Sequence, residues 1–369
     1  MKVIYILNEL KFSGAELMYV NAAKHFQLKG CKLYVLATGV KIGEFAKHFE
    51  DVGYNIIHLP YPSKFNYFGK LVFILKFIKC LTLNNIEIVH NHRSDTFLTI
   101  SFCARIKNIK SIHTFHNVYS TNWYSKLYHI IIRKISKSIF NCKFQTISES
   151  VFQNELFNFK NKTYKINNWY NDQNFYPASL SEKFEARKVL GIDDKSLVII
   201  SIGGCSKIKR HTDVINAVKI LKNNNVNLLY LHLGSGEMEI DEKQLVKNLD
   251  LENSVRFYGN QVDVRKYLIA SDIYVMSSIF EGISITTIEA MACKIPTILY
   301  NVPGLRDFNL SGENSVLISE NYKVLAQSIT DLNIDKIKRE TLIKNAFEFV
   351  TSNYNITINS NKIYELYIS

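Results

Sequence analysis

Apolar residues in this chain follow two rhythms. Short continuous runs rich in Val, Ile, Leu, Tyr and Phe occupy residues 3–8, 32–38, 55–59, 86–92, 110–115 and 144–148, and most close on a polar or small residue. Between them, apolar positions recur at helical spacing from Ala15, Gly43, Phe68, Thr96 and Tyr124. Continuous apolar runs predict strands buried on both faces, and the 3.6-residue recurrences predict the helices that join them. The same alternation resumes at 197–203, 228–236, 255–260, 272–276 and 297–300, and helical stretches over 335–354 and 356–367 close the chain. Repeated βα units call for an α/β fold with parallel, doubly wound sheets, whose ligands gather at the carboxyl ends of the strands.

Several polar clusters fall at such ends. The run 272–276 leads into Ser277-Ser278-Ile279-Phe280-Glu281-Gly282-Ile283-Ser284-Ile285-Thr286-Thr287-Ile288-Glu289, and Ile288, Met291, Ala292 and Ile295 then recur at helical spacing, so this stretch reads as strand, turn, helix. Gly282 permits a tight turn, and the helix start presents unpaired N–H groups and the positive end of its dipole. Glu281 and Glu289 would repel a phosphate and are better suited to accepting hydrogen bonds from the hydroxyls of ribose or a hexose. The same letters also fit a purely structural capping box, with Thr286 as N-cap and Glu289 folding back. After 197–203 comes Gly203-Gly204-Cys205-Ser206-Lys207-Ile208-Lys209-Arg210-His211, where glycines followed by cations suit either a diphosphate cradle or a solvated basic loop. Ser13-Gly14-Ala15-Glu16 follows the first strand, His90-Asn91-His92 ends the fourth and Thr114-Phe115-His116 the fifth. A His at a strand end can donate to a sugar hydroxyl or simply be packed, and neither His pair has the third ligand of a zinc site.

Composition narrows the classes. A chain of 369 residues with 47% hydrophobic and 21% charged residues is folded and long enough for two domains. No uncharged apolar run approaches the ~18 residues of a membrane span. The first apolar run stops at Asn8 and Glu9 and reads as a strand, with no signal-peptide cleavage site. Six scattered cysteines without a C-x-x-C pair suggest buried thiols in a reducing cytoplasm, and no metal is expected. The net charge of +12 is uneven: residues 1–180 hold 23 Lys+Arg against 10 Asp+Glu, the remainder 22 against 23. No nucleic-acid motif accompanies this basic half. Residues 64–80 and 123–140 instead mix Lys and Arg with Phe, Tyr, Trp and Ile, which suits an anionic membrane surface; ordinary crossover helices are the plainer account.

The string EGISITTIEAMACKIPTI resembles the E-x7-E segment of glycosyltransferase family 4, the retaining GT-B enzymes of bacterial capsule, exopolysaccharide and lipopolysaccharide assembly. The resemblance implies that Glu281 lies by the donor sugar, that Glu289 binds ribose, and that the amides of Ile283, Ser284, Ile285 and Thr286 face the diphosphate. Ser13-Gly14-Ala15-Glu16 resembles the family's G-G-A-E loop, with Ser13 for the first Gly. His116 matches the family's His beside the reacting sugar. Gly203 to Lys209 resembles G-R-x-x-x-x-K: Lys209 matches the Lys, while Gly204 stands where the Arg is expected. Residues 228–236, ending Gly234-Ser235-Gly236, resemble its strand-G-x-G. Residues 166–175 follow its N-G-V-D-x-x-x-F segment, with Trp169 for Gly and Asn171 for Asp. The likeness runs along nearly the whole chain and is strongest over 200–307.

It implies two Rossmann-like domains facing across a cleft: an acceptor domain over 1–176, a nucleotide-sugar donor domain over 183–354, and a last helix, 355–369, crossing back to the first. The linker is expected at 176–182. The implied reaction is transfer from a nucleoside diphosphate sugar, UDP-linked, to a hydroxyl of a surface glycan or lipid-linked oligosaccharide, with retention. The implied catalytic set is His116, Glu281 and Lys209. The implied donor set is Gly14, Gly203, Gly204, Lys209, Gly236, Glu281, Gly282, Ile283, Ser284, Ile285, Thr286 and Glu289. The expected place is the cytoplasmic face of the membrane, and no nucleic-acid partner is expected. A nucleotide-sugar epimerase and a non-catalytic scaffold subunit of a polysaccharide assembly complex, the latter suggested by the missing Arg, are the alternatives.

Overall fold

The computed structural model describes residues 1–118 and 123–369. They form two compact units, Met1–Trp169 with Ile356–Ser369, and Tyr170–Asn355.

The first unit carries β1 (Lys2–Leu7), α1 (Gly14–Leu28), β2 (Lys32–Ala37), α2 (Ala46–Asp51), β3 (Asn55–His58), α3 (Tyr67–Leu83), β4 (Ile88–Asn91), α4 (Phe97–Ile106), β5 (Lys110–Phe115), α5 (Trp123–Ser138), β6 (Lys143–Thr146), α6 (Glu149–Gln153) and β7 (Tyr164–Lys165). Its strands lie in the order β3-β2-β1-β4-β5-β6-β7, with every neighbouring pair parallel. Val3 to Leu7 are buried, as sandwiching between helix layers demands. The second unit carries α7 (Leu180–Val189), β8 (Leu197–Ile202), α8 (His211–Asn223), β9 (Leu228–Leu233), α9 (Glu239–Asn248), β10 (Val255–Gly259), α10 (Arg265–Ala270), β11 (Ile273–Met276), α11 (Ile285–Ala292), β12 (Thr297–Tyr300), β13 (Val316–Ile318), α12 (Tyr322–Ile334) and α13 (Lys336–Asn353). Its strands, all parallel, run β10-β9-β8-β11-β12-β13. The final helix, α14 (Ile356–Ile368), belongs to the first unit and packs on α1. Both sheets are doubly wound, so each unit has the Rossmann-like architecture that the resemblance implies.

In each sheet the strand order reverses once, between β1 and β4 and between β8 and β11. That reversal opens a crevice at the carboxyl ends of those strands. The segments 13–16 and 90–92 stand at the first reversal, and 203–211 and 277–289 at the second.

Some local readings shift. The helix expected from Gly43 starts at Ala46, because Gly43 itself has a left-handed backbone at φ 106°. Two edge strands, β7 of two residues and β13 of three, were too short to leave a periodic signal. The stretch 176–182, expected as a linker, ends in a capping box in which Ser179 and Glu182 start α7. Trp169, which stands where the resembled segment has Gly, is fully buried in the first unit and donates from Nε1 to the Met18 carbonyl at 2.9 Å.

Arg133 of α5 also differs from a surface cation. It is buried, donates twice to Glu155 at 2.7 and 2.8 Å, and lies over the Phe159 ring at 4.0 Å. Glu155 accepts further from Asn161 at 2.7 Å. Stranding one charge of such a pair is costly, whereas replacing both is not. Glu155→Ala is therefore expected to lose about 3–5 kcal/mol in urea denaturation, and Arg133→Met with Glu155→Leu to recover most of it. A loss below about 1 kcal/mol, the scale of an exposed pair, would contradict this.

Candidate functional site

The reversal point of the second sheet is built from turns that touch backbone to backbone. Gly234, at φ 131°, ends β9 so close to β8 that a Cβ there would sit 2.0 Å from the Gly203 carbonyl oxygen. A Cβ on Gly304 would sit 2.3 Å from the Glu281 carbonyl oxygen, and the Glu281 amide donates to the Pro303 carbonyl at 3.1 Å. Ser277 Oγ donates to the Lys209 and Arg210 carbonyls at 2.8 and 3.1 Å, and the Ile279 amide to the Ile208 carbonyl at 2.9 Å. The basic turn after β8 is thereby fastened to the turn after β11.

Side chains close the same seam. Lys209 Nζ donates to Glu281 Oε1 at 2.5 Å, and Ser278 Oγ donates to that oxygen at 2.7 Å. Lys209 lies over Gly203, its Cε 3.3 Å from the position a Cβ would take. The pair is shielded but reachable, with the lysine side chain 24% and the glutamate 14% exposed. An anion arriving here would compete with Glu281 for the ammonium. Of the two cations that could stand in for the Arg expected at Gly204, Arg210 is held by Asp213 at 2.9 Å and Glu320 at 3.4 Å. Lys207 is exposed and has no partner among the described residues.

The helix that follows does not carry the capping box. Ser284 is the N-cap of α11 and accepts from the Thr287 amide at 3.2 Å. Thr286 Oγ1 shares a hydrogen bond with the Tyr274 hydroxyl at 2.7 Å and donates to the Ile202 carbonyl at 3.2 Å. Ile283 to Thr286 thus stand at the open end of α11, where a helix leaves its first amides without intrahelical partners. Glu289 does not fold back. The residue is 9% exposed, and burial pushes its carboxyl pKa up to about 8. Among the described residues nothing donates a hydrogen bond to it, although buried polar groups are ordinarily paired. Gly236 follows β9, where a Cβ would meet the Cys205 carbonyl at 2.4 Å.

In the first unit, Gly14 opens α1 and Ser13 Oγ is bonded to Glu16, a buried carboxyl whose pKa burial raises. His116 follows β5, half-buried, with Nε2 2.9 Å from His92 Nδ1. Desolvation lowers its pKa to about 4, so it is neutral at pH 7. His90 takes the packed reading: its ring lies between the Tyr367 hydroxyl and Thr114 Oγ1, both at 2.7 Å. Sequence reasoning assigned no role to Ser278 or Tyr274. Ser278, three residues before Glu281, was the more accessible of the two, since a hydroxyl at that spacing can turn back on the carboxylate.

Comparison with known proteins follows the same lines. The family description "Glycosyl transferases group 1" matches residues 182–349, and "Glycosyltransferase Family 4" matches residues 12–150. An uncharacterized glycosyltransferase of Haemophilus influenzae is 26% identical over 86% of this chain and 85% of its own. The UDP-Gal:alpha-D-GlcNAc-diphosphoundecaprenol alpha-1,3-galactosyltransferase of Escherichia coli is 23% identical over 80% of this chain and 78% of its own. Among solved structures, Anabaena HepE in complex with UDP and glucose superposes with a TM-score of 0.84 at 19% identity, covering 100% of both chains.

The buried Glu289 gives a direct expectation. In the unfolded chain it titrates near 4.5 and in the folded chain at about 8, so between these values the folded state holds the extra proton. Its contribution favours folding fully below the lower value and is lost as pH rises through the upper one. Chemical denaturation of the ligand-free protein across that window is expected to show stability falling more steeply with pH in the wild type than in Glu289→Gln. Parallel profiles would contradict the burial assigned to this carboxyl.

Proposed function

We infer the reaction from one premise: the chain belongs to glycosyltransferase family 4 and is a glycosyltransferase. We propose that it transfers a sugar from a nucleoside diphosphate sugar, UDP-linked, to a hydroxyl of a growing surface glycan or lipid-linked oligosaccharide, with retention at the anomeric carbon. The observation that supports this most strongly is Glu289, a buried carboxyl with no hydrogen-bond partner among the described residues, one helical turn from the first amides of α11, whose preceding turn holds the Glu281 that pairs with Lys209. Ribose hydroxyls would supply the missing donors to Glu289. The amides of Ile283, Ser284, Ile285 and Thr286 and the Gly203, Gly204, Gly236 and Gly282 backbone would accommodate the diphosphate. Lys209, released from Glu281, would offset the charge that grows on the departing diphosphate, and Glu281 would then be free to orient the sugar. The mechanism needs no metal in this scheme, since an ammonium and oriented amides supply the positive potential.

The remaining roles follow the family resemblance. Residues 183–354 are proposed as the donor domain and 1–176 with 355–369 as the acceptor domain. Gly14 and neutral His116 would serve the donor sugar, His116 as a hydrogen-bonding group and not as a cation. The E. coli relative, by its name, acts on a diphosphoundecaprenol-linked sugar, and HepE was solved with UDP. Neither the epimerase nor the scaffold reading gains an observation of its own.

A membrane-surface location also belongs to the proposal. On α3, Tyr67, Phe68, Leu71 and Leu75 are exposed beside Lys64, Lys76 and Lys79, with Phe68 78% exposed. On α5, Trp123, Tyr124, Leu127, Tyr128 and Ile131 are exposed beside Lys134 and Lys137, with Trp123 70% exposed. Exposed aromatics flanked by lysines suit the cytoplasmic face of an anionic bilayer. No helix among the described residues is long and apolar enough to cross a membrane.

A panel of sugar nucleotides is expected to include one that raises the melting temperature of the wild type and fails to do so in Glu289→Ala. With that donor, Lys209→Ala is expected to lower turnover by roughly 10²–10³, the cost of deleting one preorganised donor. A panel that leaves the melting temperature unmoved, or a variant with full turnover, would refute the assignment. Flotation with anionic liposomes is expected to carry the protein and to weaken with salt; equal recovery with neutral liposomes would remove the membrane from the account.

A further inference from the structure

Beneath the turn that follows β8, three side chains from separate elements converge. Cys205 stands in that turn, His232 in β9 and Glu242 in α9. Cys205 Sγ lies 3.8 Å from His232 Nε2, Glu242 Oε2 lies 3.6 Å from the same nitrogen, and the three atoms are within 4.8 Å of one another. All three residues are buried, with exposures of 1%, 0% and 1%. A nitrogen and an oxygen 3.6 Å apart are too distant for a hydrogen bond, and among the described residues Glu242 Oε2 has no other partner. The ring of His211 stands edge-on to His232 at 4.2 Å, and its buried Nε2 likewise lacks a partner among the described residues.

We propose that Cys205, His232 and Glu242 bind one divalent transition-metal ion of the zinc class. Two of the three separations, 3.6 and 3.8 Å, lie near the edges of a tetrahedron drawn around an ion with ligand bonds of about 2.0–2.3 Å, and the third is within 4.8 Å. A thiolate, a carboxylate and a neutral imidazole carry two negative charges, which a divalent ion cancels. Without an ion the Cys205 thiol donates at 3.6 Å to the Gly234 carbonyl, and Glu242 Oε2 has no hydrogen-bond partner within reach among the described residues. Binding would displace the Cys205 thiol proton, and the Glu242 proton where present, to solvent. A thiolate selects a soft or borderline ion over magnesium or calcium. The Gly234 carbonyl, which accepts from Cys205 Sγ at 3.6 Å, is one group that could supply a fourth ligand.

Such an ion ties the Gly203 to Cys205 turn to β9 and α9, and its position does not depend on the sugar-nucleotide reading. No sequence signal foretold it, because the three positions are spread over 205–242 without a paired-ligand motif.

The test loads the tag-free full-length chain with zinc alone or cobalt(II) alone, followed by desalting, metal analysis and absorbance spectroscopy. One ion per chain is expected, with a thiolate-to-cobalt charge-transfer band and a zinc-dependent rise in melting temperature. Cys205→Ser and Glu242→Gln are expected to lose all three, while Cys80→Ser, which alters a half-buried thiol of the first unit, keeps them. Absence of a retained ion in the wild type would overturn the proposal and leave the pocket to a buried water. So would retention unchanged in Cys205→Ser. Should that variant fail to fold, the wild-type cobalt spectrum decides: no thiolate band, or a band abolished by Cys80→Ser, overturns the proposal.

Discussion

The 2.5 Å pair between Lys209 and Glu281 joins the turn after β8 to the turn after β11, the two places where a doubly wound sheet leaves its ligand crevice. As a partly solvated ion pair it adds little to stability, on the order of 1 kcal/mol or less. Its significance is positional. It holds an ammonium group over Gly203 without letting it stray into solvent, and it leaves that ammonium transferable to a stronger anion. The glycine contacts at 234 and 304 set the geometry behind it, since any side chain there would push the turns apart.

Around this pair the second unit carries features that folding alone would not favour. Among the described residues no donor reaches the buried Glu289, and α11 begins where a helix leaves its first amides without intrahelical partners. Local rules of polar satisfaction tend to fail at functional sites, where a ligand completes what the protein leaves undone. The first unit offers a contrast. His90 is enclosed by Tyr367 and Thr114 and acts as a packed core residue, whereas His116 pairs its ring with His92 and is neutral because of desolvation.

Much of this was readable from the letters. Continuous apolar runs placed the main strands, and the parallel order followed from the helices between them. Glu281 and Glu289 were visible as candidates because a strand, a glycine and a helical recurrence bracket them. What escaped depended on distance in sequence or on direction. The two-residue β7 has no period to detect. Arg133 in a basic helix looked like a surface cation, yet Glu155, 22 residues later, draws it inward. Thr286 and Glu289 had the spacing of a capping box, but Ser284 takes the N-cap two residues earlier and leaves both free for other partners. Arg210 could not be separated from Lys207 by spacing; Asp213 and Glu320 decide that it is already engaged.

In the proposed function the start of α11, with Glu289 behind it and Lys209 beside it, receives the nucleotide part of the donor. A crystal structure with the stabilising nucleoside diphosphate bound tests this most directly. The account predicts phosphate oxygens within hydrogen-bonding distance of the Ile283 to Thr286 amides and Lys209 Nζ, and both ribose hydroxyls on the Glu289 carboxylate. A nucleotide seated elsewhere, with the Lys209–Glu281 pair intact and Glu289 still unpartnered, would contradict it.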